Sequence, residues 1–218
     1  EIVEMREEDK TIRRFMIPAQ QDLSGQIIAI RSVSLMHRKK PAKKKVAVAL
    51  KPKSHLLLAG PNGIGKTTLL QEIASGKSPD VTIADGVRVG YYRQDFSTLN
   101  PKATVYESLA EAMFNGSEQS LRSTAAGFLL SSEHLKSKIG DLSEGQKGLV
   151  SFTRLVLQRP GLLILDEPTN HINFRHVPVI AEALNAYEGA MILVSHVPEF
   201  VKKIRITDTL DLSVLLNK

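Results

Sequence analysis

The chain is expected to fold as an α/β protein with a largely parallel sheet, and three observations lead there. First, short apolar runs such as Leu162-Leu163-Ile164-Leu165 and Met191-Ile192-Leu193-Val194 have the length and unbroken hydrophobicity of strands covered on both faces. Second, segments with apolar residues at helical spacing separate these runs, so strands and helices alternate along the chain. Third, the bend between one such strand and the next helix reads Gly60, Pro61, Asn62, Gly63, Ile64, Gly65, Lys66, Thr67, Thr68. This fits the G-x-x-x-x-G-K-[ST] loop that holds nucleotide phosphates between a strand and a helix N-terminus.

Taken in order, residues 1–21 are charged and weakly patterned, and read as a linker or the end of a helix outside the core. Residues 22–218 are expected to form one domain. Strands are predicted at 27–30 and 33–35, and after a basic turn at 46–50. Lys51-Pro52-Lys53-Ser54 turns the chain into the strand 55–59, which feeds the glycine loop and a helix over 67–75. Residues 86–92 read as a strand. Helical patterning at 104–113, 120–130 and 133–139, with few strand signals, predicts a helical subdomain over about 101–140. A long helix over 145–158 is closed by Arg159-Pro160-Gly161. The strand 162–165, a helix over 178–186 and the strand 191–194 complete the pattern.

Composition bounds the function. The 218 residues are 42% apolar and 24% charged, which suffices for a real core. No apolar stretch approaches the ~20 residues that a membrane-crossing helix needs. With no cysteine, disulfides and thiolate metal sites are excluded, and a cytoplasmic location fits. The chain starts with Glu rather than Met and carries no signal-peptide pattern, as expected of a fragment or a processed chain. Its net charge is +6, and Arg38-Lys39-Lys40-Pro41-Ala42-Lys43-Lys44-Lys45 concentrates the excess. That run reads either as a solvated hairpin loop or as a contact with RNA or another polyanion. No aromatic residue interleaves with it, so base stacking is not expected there.

The residue types around the glycine loop point to phosphate chemistry. The glycines let backbone N–H groups turn toward an anion, Lys66 reaches the outer phosphates, and the Thr67 hydroxyl ligates Mg²⁺. The strand 162–165 ends in Asp166-Glu167, as in a Walker B site: Asp166 holds Mg²⁺ and Glu167 polarises the attacking water. Gln94 after Tyr91-Tyr92-Arg93 can ligate Mg²⁺ through its carbonyl and touch the attacking water through its amide. His196, after the strand 191–194, can hydrogen-bond a terminal phosphate. Ser143 in Leu142-Ser143-Glu144-Gly145-Gln146 suits a helix N-cap, with a second set of N–H groups behind it.

This ordered set resembles the ATP-binding-cassette (ABC) ATPases over about residues 26–204. Gly60 to Thr68 stands for the P-loop, Gln94 for the Q-loop and Ser143, Glu144, Gly145 and Gln146 for the signature. Asp166 and Glu167 match Walker B, and His196 the switch histidine. Glu167-Pro168-Thr169-Asn170-His171 is similar to the stretch typical of the ABC-F class. The resemblance implies a P-loop NTPase of ABC type with an antiparallel β subdomain and a helical subdomain, and ATP and Mg²⁺ as cofactors. It implies Glu167, His196 and Gln94 as catalytic residues, and Thr67, Gln94 and Asp166 as metal ligands. It further implies a head-to-tail pairing with a second ABC domain, in which the signature serves the partner's ATP. ABC-F proteins carry two ABC domains in tandem, lack membrane domains, and in many cases act on the ribosome as translation factors or in antibiotic resistance. The passage Ile12-Arg13-Arg14-Phe15 resembles chain just after the interdomain linker, which makes this the second, C-terminal domain. An ABC transporter's nucleotide-binding subunit and a non-hydrolysing ATP-dependent interaction module are the competing readings.

Five positions depart from the family pattern. Glu144 replaces the first signature glycine, Asn173 the aspartate that ends the D-loop, and Val197-Pro198 the residues after the switch histidine. At the place of the adenine-stacking aromatic stands His37, with Met36 as the neighbour able to take its role.

Overall fold

A computed structural model describes residues 10–217. The chain builds two sheets. An antiparallel sheet of order β2-β1-β4 is formed by β1 (Ile28–His37), β2 (Lys40–Leu50) and β4 (Val81–Ile83). A five-stranded sheet of order β5-β6-β7-β3-β8 holds β3 (His55–Ala59), β5 (Val89–Tyr92), β6 (Leu162–Asp166), β7 (Ala190–Val194) and β8 (Asp208–Asp211), all its pairings parallel.

The unbroken apolar runs have a simple cause. In β6 and β7 every residue is buried, and successive side chains point to opposite faces. Leu163, Leu165, Met191 and Leu193 enter a core shared with helix α5 (Glu144–Gln158) and the helical subdomain. Leu162, Ile164, Ala190, Ile192 and Val194 enter a second core, with Leu69, Leu70 and Ile73 of α1 (Lys66–Ser75) and Ile28, Ile30, Val33 and Leu35 of β1.

The helical subdomain consists of α2 (Val105–Ala112), α3 (Glu118–Gly127), α4 (Ser132–Lys136) and a 3-10 turn at Ile139–Asp141. Local sequence sets their starts. Thr104, Ser117, Ser131 and Ser143 each cap a helix, and Glu107, Ser120, His134 and Gln146 three residues on return the bond to the cap's own N–H. Helices α6 (Val177–Ala186), α7 (Pro198–Val201) and α8 (Leu212–Leu216) complete the fold. No helix among the described residues is long and apolar enough to cross a membrane.

Two expectations need correction. The basic run is not a loop: only Arg38 and Lys39 form the turn, and β2 begins at Lys40, so the lysines lie on an edge strand that runs on through the predicted 46–50. Nor does the leading segment stay outside the core. Residues 1–9 lie outside the described residues, but Ile12 and Ile17 are each 3% exposed. Phe15 packs on Phe128 with ring centroids 4.7 Å apart, and the Arg13 N–H donates to the Gly127 carbonyl at 2.9 Å. An extended segment that packs irregularly leaves no periodic trace in its sequence.

Candidate active site

The carboxyl ends of β3, β6 and β7, and the turn after β5, converge on one cleft of about 230 Å³. Open parallel sheets present ligand sites at this edge. Met36, Asn62, Gly63, Gly65, Lys66, Thr67 and Thr68 line the cleft together with Gln94, Asp166, Glu167, Val194 and His196.

The glycine loop takes its shape from residues without a Cβ. Gly60, Gly63 and Gly65 have φ of +141°, +80° and +115°. A Cβ on Gly65 would come within 3.2 Å of the Ser34 carbonyl, so the loop lies directly against β1. Met36 N–H donates to the Ile64 carbonyl at 2.9 Å, and the Ile64 side chain is buried in the core. Gly65 also serves as N-cap of α1 and offers no side-chain bond, unlike the capped helices α2 to α5. The first N–H groups of α1 therefore remain for an anion in the cleft.

Lys66 is 7% exposed, and its ammonium donates to the carbonyls of Gly60 and, at 3.0 Å, Pro61. Burial pushes its pKa down, while Glu167, Asp166 and Asp211 pull it up. Asp211, which caps α8, is the acid near Lys66 that sequence reasoning missed. No spacing rule ties it to the glycine loop.

Thr67 Oγ1 donates to Asp166 Oδ2 at 2.9 Å across 99 sequence positions. Asp166 is 2% exposed, and burial raises its pKa against the opposing Thr67 bond and Lys66 charge. These two oxygens, with the Gln94 amide lining the same cleft, are hard donors of the kind Mg²⁺ takes alongside substrate phosphates. Glu167 sits at φ +49°, a left-handed conformation unusual for a side chain of this size. Its N–H donates to the Val194 carbonyl at 2.9 Å, which fixes the turn. The Glu167 carboxylate accepts from the His196 N–H at 3.2 Å and lies 3.3 Å from His196 Nε2. Burial raises its pKa first, with the His196 N–H and the His196 ring pulling the other way.

The predicted signature lies elsewhere. Ser143, Gly145 and Gln146 line a separate cavity of about 570 Å³, together with Lys10, Leu130, His134, Asn173 and His176. The larger cavity is not the chemical centre, because it contains neither the glycine loop nor the paired carboxylates. Ser143 Oγ accepts from the Gln146 N–H at 3.2 Å. A Cβ on Gly145 would come within 3.1 Å of the His171 carbonyl. Glu144 turns away from this cavity and pairs with Lys147 at 3.3 Å. Of the predicted ATP-binding residues, His37 is exposed and does not line the phosphate cleft, whereas Met36 does. Gly60, Pro61 and Ile64 shape the loop from behind.

Comparisons with known proteins agree with this fold. The family model described as ABC transporter matches residues 43–170. The tylosin resistance ATP-binding protein TlrC of Streptomyces fradiae is 42% identical over 143 residues, which cover 65% of this chain and 26% of that protein. ABC transporter F family member 4 of Arabidopsis thaliana is 29% identical over 203 residues, covering 87% of this chain and 28% of its own length. The chain thus spans about a third or less of these curated relatives. A bacterial Atm1-family ABC exporter with ATP bound superposes with a TM-score of 0.71 at 19% identity, over 90% of this chain and 39% of the exporter chain. At that identity the likeness concerns the fold.

Proposed function

Because the chain belongs to the ABC family, we propose that it is an ABC-F domain that binds and hydrolyses ATP, as one half of a head-to-tail pair. The observation that carries this reading is the single cleft in which Thr67 and Asp166 meet at 2.9 Å and Glu167 and His196 at 3.3 Å. Lys66 exchanges its two loop carbonyls for phosphate oxygens, and the α1 N–H groups bind the same anion. Thr67, Gln94 and Asp166 would hold Mg²⁺, which neutralises charge on the phosphates when bound. Glu167 orients the attacking water and accepts its proton, and His196 holds the Glu167 carboxylate in place. The products are ADP and phosphate. Preorganised donors around the phosphates are the larger catalytic contribution.

Pairing draws support from the separation of the signature from the cleft. Ser143 and Gly145 border a different cavity from Lys66 and so are available to a partner's nucleotide. Beside them Phe174 is 77% exposed, an apolar surface suited to cover by a second domain. The class further suggests a cytoplasmic, ribosome-directed protein in which residues 22–218 form the C-terminal ABC domain. The name of the relative TlrC, a resistance protein, is compatible with that. The test is the Glu167→Gln variant, followed by size-exclusion chromatography and by pelleting with ribosomes, each with and without ATP. Dimers and ribosome pelleting that appear only with ATP are expected. A variant that stays monomeric at saturating ATP defeats the pairing, and pelleting that ignores ATP defeats the ribosome reading.

A further inference from the structure

The densest charge outside the cleft lies on the β1–β2 hairpin, where Arg38, Lys39, Lys40, Lys43, Lys44 and Lys45 fall within eight residues. Lys43 pairs with Asp80 at 2.6 Å. Among the described residues no carboxylate pairs with Arg38, Lys39, Lys40, Lys44 or Lys45. The cross-strand partners of Lys43, Lys44 and Lys45 are the uncharged Ser34, Val33 and Ser32. The hairpin therefore carries mutual repulsion with one internal counter-ion.

The turn itself is built at a cost. Arg38 and Lys39 both occupy left-handed backbone, at φ +48° and +64°. Two-residue hairpin turns of this shape favour Asn-Gly, which adopts positive φ with little strain. Here two long cations hold those positions instead. Lysines on an edge strand guard against pairing with other sheets, which accounts for Lys43 to Lys45 but not for cations at the turn. Local choices that oppose the fold mark positions kept for another purpose.

The placement identifies the partner's chemistry. The pleat sends exposed Lys43 and Lys45 to the outer face, and Lys40 with half-buried Lys44 to the face of Val33 and Leu35, with Arg38 and Lys39 at the end. The result is a cationic edge and tip, about 17 Å from Lys40 to Lys45 at the usual strand rise. The run holds no aromatic residue to anchor a protein pocket or stack on a base, and lysine is depleted from protein–protein interfaces. Closely spaced cations along a paired strand match a phosphodiester backbone, whose charges repeat at similar intervals. We propose that the β1–β2 hairpin is a docking surface for the phosphate backbone of RNA, bound without regard to sequence. The choice of RNA rests on the ribosome-directed reading above.

The test uses the purified chain and a fluorescently labelled short RNA duplex, with affinity followed by anisotropy between about 50 and 200 mM KCl. Arg38→Gln/Lys39→Gln/Lys40→Gln is compared with Lys51→Gln/Lys53→Gln/Lys203→Gln, which removes equal charge from exposed positions outside the hairpin. The turn variant is expected to bind at least about tenfold more weakly, and its log–log salt slope to fall by about 2.7, at about 0.9 per lost contact on a duplex. The control variant should bind as the parent does, and both should retain affinity for a fluorescent ATP analogue. Equal losses in the two variants, no RNA binding by the parent, or equal competition by polyglutamate overturns the proposal. Hydrolysis of ATP without RNA binding leaves the ATPase reading intact, and RNA binding through the hairpin without hydrolysis leaves this one intact.

Discussion

Neutralising Glu167 separates catalysis from stability, and the two are expected to move in opposite directions. The Glu167 side chain is 9% exposed, and burial is the largest influence on its acidity, raising the pKa against the His196 N–H and ring. A carboxyl whose folded pKa exceeds its unfolded value binds more protons in the native state, so stability falls as pH rises between the two values. Above the folded value the loss is complete and constant. At pH 7.5 the native carboxylate bears all of it, while Gln has the same shape and no charge to desolvate. Glu167→Gln should therefore melt higher than the parent at pH 7.5, by about 2–4 °C per kcal/mol recovered for a chain of this size. The gain should vanish as pH drops below the ordinary carboxylate range. Turnover should fall by about 10²–10⁴, the usual worth of a positioned base, or about 2.7–5.5 kcal/mol of barrier. Differential scanning fluorimetry across pH and a phosphate-release assay measure the two effects. A variant that melts at or below the parent at every pH refutes the burial argument, and a turnover loss under about tenfold refutes the assignment of the base.

Lys66→Ala should weaken ATP binding by about 1.5–3 kcal/mol, the range for hydrogen bonds to charged groups, and fluorescence titration with an ATP analogue would reveal parent-like affinity if Lys66 never reaches the phosphates. Gly90→Ala places a Cβ 2.8 Å from Leu155 Cδ2 and 3.1 Å from the Pro160 ring. The strain is expected to cost about 1–3 kcal/mol in urea unfolding, and an unchanged midpoint would mean that β5 and α5 are not packed as described. Ile17→Ala should cost about 2–5 kcal/mol, as for other buried aliphatic truncations. A loss within the scatter of surface substitutions would show that the leading segment is no part of the cooperative core.

The parts of this protein legible in its sequence are those fixed by local chemistry. Strands β3, β6 and β7 announce themselves because a strand covered on both faces must be apolar throughout. The glycine loop and Asp166-Glu167 are legible because each chemical task needs adjacent residues. Strand β8, Asp-Thr-Leu-Asp, gave no signal, since it lies at the edge of the sheet and is held by backbone bonds to β3. The lysine-rich start of β2 read as a loop for the same reason: an edge strand tolerates side chains that a central one excludes.

The placement of Met36 rather than His37 at the cleft depends on register, and register is not local. The β1–β2 ladder shifts between Ile30 and Ser32, and beyond that irregularity Met36 pairs with Pro41 and His37 with Lys40. Adjacent residues on a strand face opposite ways, so a slip of one position exchanges which of the two lines the cleft. The burial of Val33 and Leu35 sends His37 to their face of β1, and Met36 to the other along with Ser34. The Met36 N–H bond to Ile64 then fixes this register against the glycine loop. The motif spacing narrows the expected adenine contact to His37 or Met36. Only the packing of β1 on the second core, 30 or so positions from the loop it serves, decides between them.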